Sequence, residues 1–161
     1  MNNLKLFLGI LICLSASRFI PHPPNFTNLI ALGFYVPAIF GLRYIPLVVI
    51  VFAITDLFFG FHQLTIFTWG SVIIVGLISK YLNQTFLKRF CGVLTGCFLF
   101  YVITNFGVWL IGNQVLIFET LIITYIKGIP FFGYTLISTI IYSLIIEAIY
   151  KTYLNYNKIK I

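Results

Sequence analysis

Six apolar segments, parted by turns of Pro, Gly, Asn and basic residues, follow one another with few polar intervals, and they decide what this chain can fold into. They fall at about residues 4–19, 28–40, 44–59, 64–79, 90–111 and 131–150. Only 8% of the 161 residues are charged and 61% are hydrophobic, with a mean hydropathy of +1.08. Soluble domains carry about 25% charged residues, so this composition supplies no water-facing surface. The expected class is an all-α membrane protein, a six-transmembrane-helix bundle forming a single integral membrane domain over residues 1–161.

The net charge of +7 raises nucleic acid as a partner, but the ten basic residues are scattered between apolar segments and make no patch, so none is expected. Cys13, Cys91 and Cys97 lie inside apolar segments with no CxxC and no His at metal spacing. They read as small packing residues. Residues 1–17 mimic a signal peptide, with a basic residue and an apolar run ending in Ser15-Ala16-Ser17. A retained first helix is the expectation, because the polar turn that follows fits the bundle.

That turn is Ser17-Arg18-Phe19-Ile20-Pro21-His22-Pro23-Pro24-Asn25-Phe26-Thr27. Pro21, Pro23 and Pro24 each lack an N–H and clash with a preceding helical turn, so the first helix stops here. Two readings stand: a rigid turn whose Arg18 snorkels to the membrane surface, or one wall of a ligand site. Gly9, Cys13 and Ser17 recur every four residues, which gives the first helix a face of small side chains that another helix can approach closely. Gly92 and Gly96 form a similar pair. Residues 114–127 are apolar but short and interrupted by Glu119, and Gly128-Ile129-Pro130 follows them. The expectation there is a separate short interfacial or re-entrant helix before the last span.

Orientation follows from charge. With six spans, one side collects Lys5, Arg43, Lys80, Lys88, Arg89, Lys151, Lys158 and Lys160, and the other only Arg18 and Lys127. The positive-inside rule therefore places both termini in the cytoplasm. Segments one, three and five then run outward and carry Arg18, His22 and Asn25, Asp56 and His62, and Asn105 and Trp109 to one membrane face. A carboxylate within a span costs about 2.5–3.5 kcal/mol, so Asp56 needs a partner, and Arg18 is nearest by depth. These seven residues are the candidate substrate-binding set. Bland roles are open to each: Arg18 and Asp56 as a structural pair, the histidines as turn residues, Trp109 as a belt anchor, Asn105 as an interhelical bond. No HExxH, GxSxG, paired aspartates or Gly-rich phosphate loop occurs, so neither an enzyme nor a cofactor or metal is expected.

The run from Arg18 to Thr27, with Asp56-Leu57-Phe58-Phe59-Gly60-Phe61-His62, Thr104-Asn105-Phe106-Gly107-Val108-Trp109 and Pro130-Phe131-Phe132, resembles a largely uncharacterised family of small bacterial membrane proteins. That family in turn resembles the S components of energy-coupling-factor transporters. The resemblance implies an S-component-like bundle in the bacterial inner membrane, in contact with lipid, that captures a vitamin-like solute or metal ion at its outer face. It also implies a transmembrane coupling subunit and an ATPase module as partners, met through Gly9 and Cys13, although the alanines expected on that face are absent. The resemblance further places an acidic residue near Ser138-Thr139, where this chain has Thr139, and this weakens a cation-binding role. The alternative is a structural accessory subunit of a larger membrane complex.

Overall fold

In a computed structural model, residues 3–112 and 115–159 are described, with side chains through residue 156. The described chain forms six α-helices and one 3-10 turn: α1 (Asn3–Phe19), α2 (Leu29–Phe40), the turn Leu42–Tyr44, α3 (Ile45–Phe59), α4 (Thr65–Ile78), α5 (Phe86–Ile111) and α6 (Phe118–Ile159). No strand is present among the described residues. Three helical stretches are long and apolar enough to cross a membrane: Leu42–Phe59, Phe86–Ile111 and Phe118–Tyr156.

The breaks between helices have local causes. After α1 the chain turns through Asn25 at φ 62, a left-handed conformation that Asn tolerates better than most residues. Asn28 then folds the turn back onto α1: its Nδ2 donates to the Cys13 carbonyl at 2.8 Å, and its Oδ1 accepts from Ser17 Oγ at 2.9 Å. Gly41 (φ 102) and Gly60 (φ 89) end α2 and α3 in backbone conformations that a side chain would strain. Thr85 caps α5 by accepting from the Lys88 amide at 3.2 Å, which starts that helix about a turn before the apolar run.

α2 is the hub. Although it has only 12 residues, it touches each of the other five helices, and eight of its residues are buried. At about 18 Å it is shorter than a roughly 30 Å hydrocarbon core. One apolar cluster joins α2 to α1, α3 and α4 through Leu14, Leu29, Val48, Val51 and Val72. A second joins it to α4 and α5 through Phe34, Tyr35, Val75, Val93 and Cys97, with Phe132, Leu136 and Ile146 of α6 packed alongside. The outer surface is hydrocarbon, with Ile12, Phe58 and Ile66 each more than two-thirds exposed.

The last third of the chain corrects the expectation of a separate short helix at residues 114–127. Residue 114 lies outside the described residues, and from Phe118 onward the stretch is the first turns of a single 42-residue helix. Gly128 and Pro130 do not stop it. Proline removes one backbone bond, and the packing against α5 holds the helix through that gap. Tyr101 Oη donates to the Tyr125 carbonyl at 2.6 Å, and Tyr125 Oη donates to the Val102 carbonyl at 2.8 Å. Gly128 lacks the side chain that would meet the Asn105 amide, so the two helices close up here. At about 1.5 Å per residue α6 is roughly 63 Å long, twice the hydrocarbon thickness, so part of it projects beyond the bilayer.

Candidate functional site

Arg18 lies in the last turn of α1, and Asp56 one turn before the end of α3, so with α2 returning between them the C-terminal ends of α1 and α3 meet at one end of the bundle. Arg18 Nη1 and Asp56 Oδ1 are 2.6 Å apart. Asp56 is 2% exposed, and its second oxygen accepts from Trp69 Nε1 of α4 at 2.8 Å. The same Arg18 nitrogen bonds the Thr55 hydroxyl, and the guanidinium sits 4.8 Å from the ring centres of both Phe52 and Phe59. A buried carboxylate is tolerated only when its lone pairs are filled, and here a cation and an indole N–H fill them. The pair thus ties α1, α3 and α4 together.

Beside it opens a cavity of about 250 Å³, a little below the roughly 300–1,000 Å³ of common ligand sites and so sized for a small solute. The Pro-rich turn supplies His22, Asn25 and Thr27 to its wall, and the α3–α4 turn supplies His62. Arg18, Leu29, Phe52, Thr68, Phe100 and Thr135 are among the rest of its lining, so every helix contributes at least one residue. The Thr68 and Thr135 hydroxyls each donate to a carbonyl of their own helix, at 3.0 and 2.9 Å, which leaves oxygen lone pairs as acceptors. Cation, imidazoles, amide and hydroxyls thus converge on a partly aromatic wall, a set suited to holding a small polar solute. Among the described residues no cluster of three or more His, Cys, Asp or Glu side chains is placed to hold a metal.

Four of the seven candidate residues, Arg18, His22, Asn25 and His62, line this cavity. Asp56 stands behind Arg18 and reaches the cavity only through it. Asn105 and Trp109 are placed elsewhere, contrary to the expectation of a shared pocket. Asn105 Nδ2 donates to the Tyr101 carbonyl of its own helix at 2.8 Å, and Trp109 Nε1 donates to Thr120 Oγ1 at 3.1 Å, so both serve the seam between α5 and α6. Equal depth along a helix does not fix the direction in which a side chain points.

Sequence reasoning missed a second ion pair. Arg89 Nε lies 2.6 Å from Glu147 Oε1 and Nη2 lies 2.7 Å from Oε2, a two-pronged bond between α5 and α6 at the opposite end of the bundle. Arg89 Nη1 also donates to the Asn83 carbonyl at 3.1 Å. Glu147 is an acid inside an apolar segment, which is itself a signal of function or pairing. Arg89, by contrast, reads in the sequence as one more surface charge of a basic loop.

An all-helical bundle with long apolar helices, a hydrocarbon exterior and two buried ion pairs defines a multi-pass membrane protein. Residues 1–159 match a family of unknown function, DUF6580, and the chain belongs to that family. Neither a curated protein nor a solved structure matches it.

Proposed function

We propose that this protein is a non-enzymatic solute-binding transport protein, similar to an energy-coupling-factor S component, that captures a small solute in the cavity beside Arg18. The observation that carries this reading is the cavity itself. It is about 250 Å³ in volume, walled by a stiff Pro-rich turn and supplied with polar groups from several helices. A preordered turn loses little freedom on binding. The test is a thermal-stability screen of the purified protein against vitamins, other small polar solutes and metal ions. A true ligand at about a hundred times its Kd stabilises by about 2.7 kcal/mol. That shift should vanish in Thr135→Phe, which fills the cavity, and its persistence there would remove the cavity as the site.

Orientation belongs to the same reading: the cavity faces outward and both termini are cytoplasmic. Gln84→Cys, at an exposed position in the α4–α5 turn, should resist a membrane-impermeant thiol reagent applied to intact cells. Ready labelling would invert the topology. A coupling subunit with its ATPase module would meet α1. Gly9 has no other part of the fold within 4 Å of where its Cβ would stand, and Gly9 and Cys13 line a nearly apolar groove of about 270 Å³. The same open face also favours the second reading, an accessory subunit docked on a larger membrane complex.

A further inference from the structure

α6 carries a polar face that the bundle turns inward. Thr135, Thr139, Ser143 and Glu147 recur every four residues, so they lie along one side of the helix over about 18 Å. All are buried, at 5%, 0%, 0% and 8% exposure. Thr135 forms part of the cavity wall at one end, and Glu147 is held by Arg89 at the other. Between them the Thr139 and Ser143 hydroxyls make no hydrogen bond of good geometry, and Tyr35, a 1% exposed α2 residue, turns its hydroxyl toward Ser143 and Glu147 without reaching such geometry either. Buried hydroxyls short of a well-formed hydrogen bond are uncommon and costly. Ser and Thr also serve close helix packing, but this face carries in addition the Thr135 of the cavity wall and the ion-paired Glu147. On the far side of the ion pair, Arg89 and Glu147 border a cleft of about 560 Å³ that also takes in Tyr150 and Lys151. The pair therefore stands as a partition between the hydroxyl file and that cleft.

We propose that this face of α6 is the continuation of the solute path from the cavity, and that Arg89–Glu147 is the gate at its end; the proposal rests on the transport reading. The file offers oxygen donors and acceptors with no uncompensated charge. It therefore suits an uncharged or zwitterionic polar solute, passed from hydroxyl to hydroxyl. A free ion would find no net charge there to replace its hydration. Once parted, Arg89 and Glu147 present one cation and one anion, which is the complement of a zwitterion. In the described conformation the path is closed, because Thr139 and Ser143 are fully buried while Thr135 reaches the cavity.

The experiment measures accessibility and needs no solute, so an empty solute screen leaves its outcome untouched. Cys13, Cys91 and Cys97 are replaced by alanine, and single cysteines are introduced as Thr135→Cys, Thr139→Cys, Ser143→Cys and, on the exposed side of α6, Ile141→Cys. In proteoliposomes a membrane-impermeant methanethiosulfonate should react with Thr135→Cys and spare Thr139→Cys and Ser143→Cys. Adding Glu147→Gln or Arg89→Gln should raise the rate at Ser143→Cys at least tenfold from the Arg89 side and leave Ile141→Cys unchanged. The charge-swapped double variant Arg89→Glu with Glu147→Arg should restore protection, which separates gating from poor folding. Continued protection of Ser143→Cys in both neutral variants would overturn the proposal. So would a rise that Ile141→Cys shares or that the swap fails to reverse.

Discussion

Asp56→Asn should destabilise the protein by on the order of 3 kcal/mol and, on the transport reading, abolish solute binding, because it leaves the Arg18 guanidinium without its counter-charge. Breaking a buried pair costs more than the pair is worth, since the surviving charge loses its water without compensation. Arg18 keeps some contact with the cavity, its side chain being 16% exposed, and this holds the loss below that of a fully sealed cation. The carboxylate also accepts from Trp69, so the variant loosens α4 as well as α1. Thermal unfolding in mild detergent gives the first readout, and ligand-induced stabilisation the second. The double variant Arg18→Met with Asp56→Leu separates them. Replacing both charges by apolar groups of similar size should recover most of the stability while binding stays lost. If Asp56→Asn unfolds with wild-type stability, the pair does not hold α1 to α3.

That pair is legible in the sequence, because an acid and a base at one depth of an apolar bundle have few other ways to be satisfied. The helix breaks are legible for an equally local reason: Pro21 cannot continue α1, and Gly41 and Gly60 readily adopt the positive-φ conformations in which α2 and α3 end. What escapes a linear reading is non-local. Gly128-Ile129-Pro130 reads as a stop in isolation, yet the Tyr101–Tyr125 exchange across α5 and α6 carries the helix through it. Asn105 and Trp109 share a depth with Arg18 but point into the α5–α6 seam, and only the packed bundle fixes that azimuth. Glu147 leaves a trace in the four-residue spacing from Thr135. Its partner leaves none, because Arg89 sits among the loop charges 58 residues away, and only packing of α5 on α6 joins them.

Gly92 and Gly9 look alike in sequence, each heading a small-residue spacing, and the structure predicts opposite outcomes for them. A Cβ at Gly92 would stand 2.6 Å from Phe34 Cζ and 2.9 Å from Leu82 Cβ. Phe34 is fully buried in the hub helix, so its ring has nowhere to retreat. Even Gly92→Ala should therefore force α2 and α5 apart and cost about 1–3 kcal/mol, and Gly92→Leu more. Gly9 has no atom outside its own helix backbone within 4 Å of the same position, so Gly9→Leu should leave stability within about 0.5 kcal/mol of wild type. On the transport reading its effect should fall on association instead: a leucine there blocks close helix approach, and co-purification with the proposed coupling subunit and ATPase module should be lost. Wild-type stability in Gly92→Ala would refute the close α2–α5 contact. Full co-purification with Gly9→Leu would show that the partner docks on some other face.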